Sequence, residues 1–284
     1  MFADHSVTLL ADRTESCPLA ERDFVFEYAR HAPLALALER ALECRLLADY
    51  TLRRPVLDIG CGDGLFCQTL YGRGRHIDYG LDLDADECSR ARERDVYGSV
   101  LNASAMSIPL PDGTMRTVLS NSTLEHLPDL SSVLRECVRV LAPGGDLYVT
   151  VPTDQFDRYT IIYRLLHALG RRGAAERFRT SYDSFWRHFH YYPPDEWVRL
   201  LQGAGLRVDE VVEYDSKARC ALHDALVPLA LPGFIVKKLT GRYSLVPPLR
   251  ASLLRLARRA LPEYRAARLP QGTGGLVMLH ATKP

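Results

Sequence analysis

The segment Val56-Leu57-Asp58-Ile59-Gly60-Cys61-Gly62-Asp63-Gly64 constrains the fold more than any other stretch of the chain. Apolar residues lead into an acid, and glycine then falls at every second position. That order describes a buried parallel strand turning abruptly into a helix, with backbone left bare where a ligand must come close. Pro55 cannot continue a preceding helix, so the strand begins after it. In open α/β sheets a glycine-rich turn between strand and helix is a nucleotide-cofactor site. The spacing here is G-x-G-x-G. Leu65 and Phe66 follow where a dinucleotide fingerprint needs a third glycine at a different offset, which speaks against a nicotinamide dehydrogenase.

A second strand is expected over residues 77–84, and Asp82 stands 24 residues after Asp58. An acid at the end of that strand can accept both hydroxyls of a ribose. Asp84 and Asp86 lie past the strand in a helix N-terminal turn, where acids are common. Further strands are expected at 99–102, 117–121 and 146–151, with a helix over 131–141 stopped by Pro143-Gly144-Gly145.

Four motifs now stand in order: Asp58 to Gly64, Ile108-Pro109-Leu110-Pro111-Asp112, Leu124-Glu125-His126-Leu127, and Arg139-Val140-Leu141-Ala142-Pro143-Gly144-Gly145. In this order and spacing the chain resembles a class I S-adenosylmethionine-dependent methyltransferase of the type 11-like group, over about residues 50–152. The resemblance implies a Rossmann-like, doubly wound α/β sheet of seven strands with the last antiparallel, and S-adenosyl-L-methionine as cofactor. It implies that Asp58 and the turn Gly60-Cys61-Gly62 hold the methionine end, that Asp82 binds the ribose and that Leu83 packs beside the adenine. Ser104, Ala105 and Met106 would continue the adenine pocket, and Asn121 would lie beneath the sulfonium. Ser104 departs from the family, which usually has an aspartate there; its hydroxyl accepts a hydrogen bond without charge. Arg116 likewise replaces an acid common at the start of strand four.

The remaining chain organises around that core. Residues 1–50 read as an N-terminal helical cap, 51–152 as the cofactor-binding core, 153–193 as a first cap insertion and 194–215 as core continued. Residues 216–273 read as a second, basic amphipathic insertion and 274–284 as the last core strand. Both insertions exceed ordinary connections. They are expected to cover the carboxyl edge of the sheet, where a substrate enters, so acceptor choice belongs to them. Tyr28 on the N-terminal cap is placed to close over the methionine carboxylate, with Arg30 and Arg40 as alternatives or as ordinary helix-surface charges.

Methyl transfer needs acceptor, methyl and sulfur in line and water kept out. A base is needed only for an acceptor that holds its proton, such as an alcohol. The candidates are His190, His188 and His126. His188 and His190 are two apart and would share one face of an extended segment, Phe185 to Pro194 being otherwise aromatic-rich packing. No nearby carboxylate or further histidine completes a metal site in the sequence, so no metal is expected. The function expected is methyl transfer to a small-molecule or lipid-like acceptor, at oxygen first; a carbon acceptor or a non-catalytic cofactor-binding member of the fold are the alternatives.

A net charge of +1 gives no case for nucleic acid as a partner. Seven cysteines without a C-x-x-C pair fit reduced thiols, and residues 1–22 lack an apolar secretory core, so a cytoplasmic setting is expected. Between Lys237 and Arg268 nine basic residues face one acid, Glu263. An amphipathic helix is expected over 249–261, following the apolar run 225–236, whose 12 residues and two prolines are too short to span a bilayer. Residues 225–261 are therefore read either as packing with a solvated arginine face or as peripheral contact with a membrane or an anionic substrate.

Overall fold

The computed structural model describes residues 22–241, 243 and 268–284. The helix expected over 249–261, six of the nine basic residues between 237 and 268, and residues 1–21 lie outside the described residues. Seven strands form one sheet: β1 (Val56–Ile59), β2 (Ile77–Asp82), β3 (Tyr97–Asn102), β4 (Met115–Asn121), β5 (Leu141–Pro152), β6 (Arg207–Ser216) and β7 (Gly274–Thr282), in the order β3-β2-β1-β4-β5-β7-β6. β1 to β5 pair in parallel, and β7 runs antiparallel between β5 and β6. The Rossmann-like expectation with a last antiparallel strand holds. All four residues of β1 are buried, as a central strand covered on both faces requires.

The helices are α1 (Phe24–Ala29), α2 (Leu34–Leu47), α3 (Leu65–Tyr71), α4 (Ala85–Glu93), α5 (Leu130–Val140), α6 (Ile161–Ala168), α7 (Arg172–Trp186), α8 (Pro194–Gly203) and α9 (Lys217–Thr240). Alternation along β1 sends Leu57 and Ile59 into a core with α5 and α8, and Val56 into a second core with α2, α3 and α4. On the first face Trp197 is fully buried and its indole N–H donates to the Pro152 carbonyl at 3.2 Å. Trp197→Ala is expected to lower unfolding stability by about 3–5 kcal/mol in denaturant melts. A loss below about 1 kcal/mol, the range of ordinary substitutions, would show that this contact does not anchor α8.

Two expectations change. The Pro143-Gly144-Gly145 stop is not what ends α5, which finishes at Val140. Those residues form a bulge early in β5, where pairing jumps from Met115–Leu141 to Thr117–Asp146 and Gly144 takes a φ of 70°. The apolar run 225–236 is not an isolated stretch either. It lies inside the 24-residue α9, which continues through Pro228 and Pro232, each removing one ladder donor. By length and composition α9 is long enough to cross a membrane.

Candidate active site

The glycine turn folds back on β2. The amides of Gly60 and Cys61 both donate to the Leu81 carbonyl, at 2.8 and 3.0 Å. Gly60 has a φ of 73°, and a Cβ there would come within 2.3 Å of the Thr123 side chain, so both conformation and space demand glycine. The turn is then tied to the acid that follows β2. The Gly62 amide donates to Asp82 Oδ2 and the Asp84 amide to Oδ1, each at 2.9 Å. Each carboxylate oxygen keeps further acceptor capacity toward the cavity.

Asp58 closes β1 from below. It is buried and accepts from the Tyr97 hydroxyl at 2.6 Å and the Cys67 thiol at 3.2 Å. Burial pushes its carboxyl up to about 6, against the lowering effect of those two donors. Asn121, at the end of β4, donates to Glu43 Oε2 and accepts from Thr150 Oγ1, both at 2.8 Å. Glu43 is fully buried on α2 and also accepts from Arg40 at 2.7 Å.

These residues open into a cavity of about 550 Å³. Its floor holds Asp58, Gly60, Cys61, Gly62, Asp82 and Asn121, and Tyr28 of α1 closes one side. Burial drives the Tyr28 hydroxyl well above its ordinary value, so it stays a neutral donor. The roof is α9, which presents Cys220, His223, Asp224, Val227, Ala230, Phe234 and Lys237 at helical spacing. Trp186 and His188 come from the first insertion, and Glu125 and His126 from the turn after β4. One cavity thus joins the glycine turn to both insertions.

The expected adenine residues lie elsewhere. Leu83, Ser104, Ala105 and Met106 do not line this cavity. Leu83 is 73% and Met106 42% exposed, beyond Asp82, while Ala105 is buried and the Ser104 hydroxyl accepts from the Met106 amide at 3.2 Å.

The histidines separate. Arg187 takes a left-handed φ of 56° where the chain leaves α7, and the two histidines beyond it meet different partners. His190 leaves the cavity lining, and both of its nitrogens are engaged, with the Tyr192 hydroxyl at 3.0 Å and the Leu127 carbonyl at 2.9 Å. His188 stays in the cavity against His126, with ring centroids 4.6 Å apart. Burial lowers both imidazoles, His188 to about 3. The premise that no carboxylate or further histidine stands near His188 is corrected: Glu125 and His126 reach it from the loop after β4.

One pair escaped sequence reasoning. Asp215, fully buried at the end of β6 with a φ of 60°, carries Oδ2 at 3.3 Å from His223 Nδ1 and 3.2 Å from the Cys220 thiol. Burial pulls the His223 imidazolium down, but the adjacent Asp215 carboxylate, with Glu39, outweighs it and raises the group above its ordinary value of 6.5. The available signal was the position of Asp215 at the carboxyl end of a strand, where open α/β sheets place their sites.

Residues 57–149 match a family described as a methyltransferase domain. A protein named "Probable S-adenosylmethionine-dependent methyltransferase" from Mycolicibacterium smegmatis is 33% identical over 166 residues, covering 58% of this chain and 57% of the relative. One so named from Mycobacterium tuberculosis is 34% identical over 108 residues, 37% of this chain and 38% of its own. The chain spans about half the length of the curated relatives it matches. Among solved structures, a SAM-dependent methyltransferase from Thermotoga maritima superposes with a TM-score of 0.58 at 19% identity, over 88% of this chain and 92% of that one. The cyclase SpnF superposes with a TM-score of 0.54 at 19% identity, over 93% and 85%. Likeness at that identity is likeness of fold, which chemistry does not follow automatically.

Proposed function

We propose that this chain, which carries a class I methyltransferase domain over residues 57–149, moves a methyl group from S-adenosylmethionine to an oxygen of a lipid-like acceptor. The observation that carries the reading is the continuity of one cavity from the Gly60–Asp82 floor to the inner face of α9, where Val227, Ala230 and Phe234 stand beside His223, Asp224 and Lys237. The floor fits the cofactor on two counts. Nothing stands within 4 Å of where a Cβ on Gly62 would be, so the backbone there is open to a ligand, and Asp82 retains acceptor capacity for ribose hydroxyls.

S-adenosylmethionine supplies a methyl carbon already activated by positive sulfur. The protein's task is alignment and exclusion of water. Asp58, Asp82, Tyr28 and Asn121 hold the donor end, and Phe156, Trp186, Val227 and Phe234 enclose the acceptor end. We assign the acceptor's proton to His223. Its Nδ1 lies 3.3 Å from Asp215 Oδ2, whose charge stabilises the imidazolium that forms, and the residue lines the cavity. This replaces His190, whose nitrogens are both engaged.

The lipid-like character of the acceptor rests on the outside of the roof. Leu229 (77% exposed), Ile235 and Leu239 (79%) crown α9 on the face away from the cavity, and Ile162 and Leu165 of α6, with Leu169 just after it, are also exposed. Lys237 and Lys238 close the helix, and most of the remaining basic segment follows in sequence. An apolar face beside cationic charge suits the surface of an anionic bilayer. Spanning fits less well, because lipid would then meet His223, Asp224 and Lys237 on the same helix.

Flotation with anionic vesicles at low salt is expected to carry the protein upward, and Leu229→Glu with Leu239→Glu to abolish it. Incubating the protein with S-adenosylmethionine and vesicles doped with polyprenol- or glycolipid-type alcohols is expected to yield a product heavier by one methylene. Failure to float at low salt removes the interfacial reading. Methylation of water-soluble alcohols alone would move the acceptor to the small-molecule class.

A further inference from the structure

We propose that Glu125, His126 and His188 bind a single divalent transition-metal ion at the wall of the cavity. Glu125 and His126 lie on the short turn Leu124–His126 after β4, and His188 follows α7 more than sixty residues later in sequence. One ligand atom from each lies within 4.8 Å of the others. No spacing rule brings these three together; the packing of the first insertion on the loop after β4 does, through the Phe189 amide donating to the Glu125 carbonyl at 2.7 Å.

The surroundings match those of metal-binding imidazoles. A ligating histidine ordinarily uses its second nitrogen on a carbonyl or another polar group, which fixes the ring and its tautomer. His126 Nδ1 lies 3.2 Å from the Arg187 carbonyl, and His188 Nδ1 bonds the Tyr191 hydroxyl. Both Nδ1 atoms are thus occupied from behind, leaving the two Nε2 atoms for an ion. His126 Nε2 is 3.8 Å from Glu125 Oε1.

The carboxylate carries the second observation. Glu125 is 2% exposed, and its Oε2 is buried without a hydrogen-bond partner among the described residues. A buried carboxylate oxygen with no partner is costly, and a cation is one way to satisfy it. The nearest guanidinium does not serve, because Arg40 is committed to Glu43 at 2.7 Å and Glu39 at 3.3 Å.

Two imidazoles and one carboxylate suit zinc, cobalt, iron(II) or manganese better than calcium, which prefers an all-oxygen shell. Three protein ligands leave coordination positions open, and all three residues line the cavity. The use of the site rests on the methyl-transfer reading: an acceptor oxygen taken up at an open position would lose its proton more readily to His223.

The test uses the full-length protein freed of metal with a chelator and titrated with Co²⁺ alone, read by its visible absorption, and with Zn²⁺ by calorimetry. One ion per chain is expected, with the bands of nitrogen-coordinated cobalt. His188→Ala, His126→Ala and Glu125→Gln are each expected to weaken binding by more than the roughly 10–100-fold that loss of an outer partner causes. His190→Ala and His223→Ala are expected to bind as the wild type does. S-adenosylhomocysteine binding, measured on every variant, reports whether it is folded. Wild type that binds S-adenosylhomocysteine but no cobalt overturns the metal site and leaves the methyl-transfer reading intact. Cobalt binding without S-adenosylhomocysteine binding does the reverse. Cobalt binding unchanged in a folded His188→Ala variant also overturns the site.

Discussion

Asp82→Ala is expected to weaken S-adenosylhomocysteine binding at least about 100-fold in calorimetry, with the fold retained. Hydrogen bonds to a charged acceptor contribute about 1.5–3 kcal/mol each, and a ribose diol supplies two. Two such bonds exceed the roughly 2.8 kcal/mol that a hundredfold loss represents. The alanine variant also releases the Gly62 and Asp84 amides, both of which donate to this carboxylate at 2.9 Å. The glycine turn then loses a tether as well as the ligand its partner. Asp82→Asn keeps one acceptor oxygen and should fall between the two. A dissociation constant unchanged in Asp82→Ala would refute the placement of the cofactor on this turn.

The second large effect concerns the pair that no motif announced. His223→Ala is expected to lower the methyl-transfer rate by about 10²–10⁴-fold, the usual worth of a positioned base, with S-adenosylhomocysteine binding unchanged. The pH profile separates a base from a packing residue. Only neutral His223 accepts a proton, and its folded value lies above 6.5, burial lowering it and Asp215 with Glu39 raising it more. The rate should therefore climb with pH through a value above 6.5. Asp215→Asn removes the main raising influence and should shift that limb to lower pH while reducing the plateau. Linkage gives the matching stability sign: because the folded value is raised, the pair's contribution is fully present below the unfolded value and lost as pH rises through the folded one. A limb that stays in place in Asp215→Asn would exclude His223 as the titrating group.

Much of the donor side was legible in the chain. Local order encodes it: an apolar run, an acid and alternating glycines dictate strand, turn and bare backbone within nine residues. Asp82 was equally visible, because the end of the second strand has a fixed place beside the first in any parallel sheet; Asp58 pairs with Gly80, two residues before it. The residues expected beside an adenine were less so. Ser104 spends its hydroxyl on its own turn and Met106 lies exposed, which composition does not reveal.

In the helical additions the side chains meet other partners than their spacing suggested. The two-residue spacing of His188 and His190 promised a shared face, but that holds only for an extended backbone. In the folded chain the two part: His190 meets the Leu127 carbonyl and His188 lies beside His126. The apolar run 225–236 reads in sequence as too short to span a bilayer, yet it lies within α9, which runs through Pro228 and Pro232 to Thr240.

What the chain states in its own order is therefore the glycine turn, Asp82 and the sheet that carries them, since strand, turn and alternation depend on residues within a few positions of one another. What only the folded molecule decides is which side chains meet above that turn. Glu125 meets His188 across 63 residues of sequence, and Asp215 faces His223 across a strand–helix junction. Those meetings depend on how two long insertions pack over the sheet edge. Such packing is set by buried surface and backbone direction, for which linear spacing carries no rule.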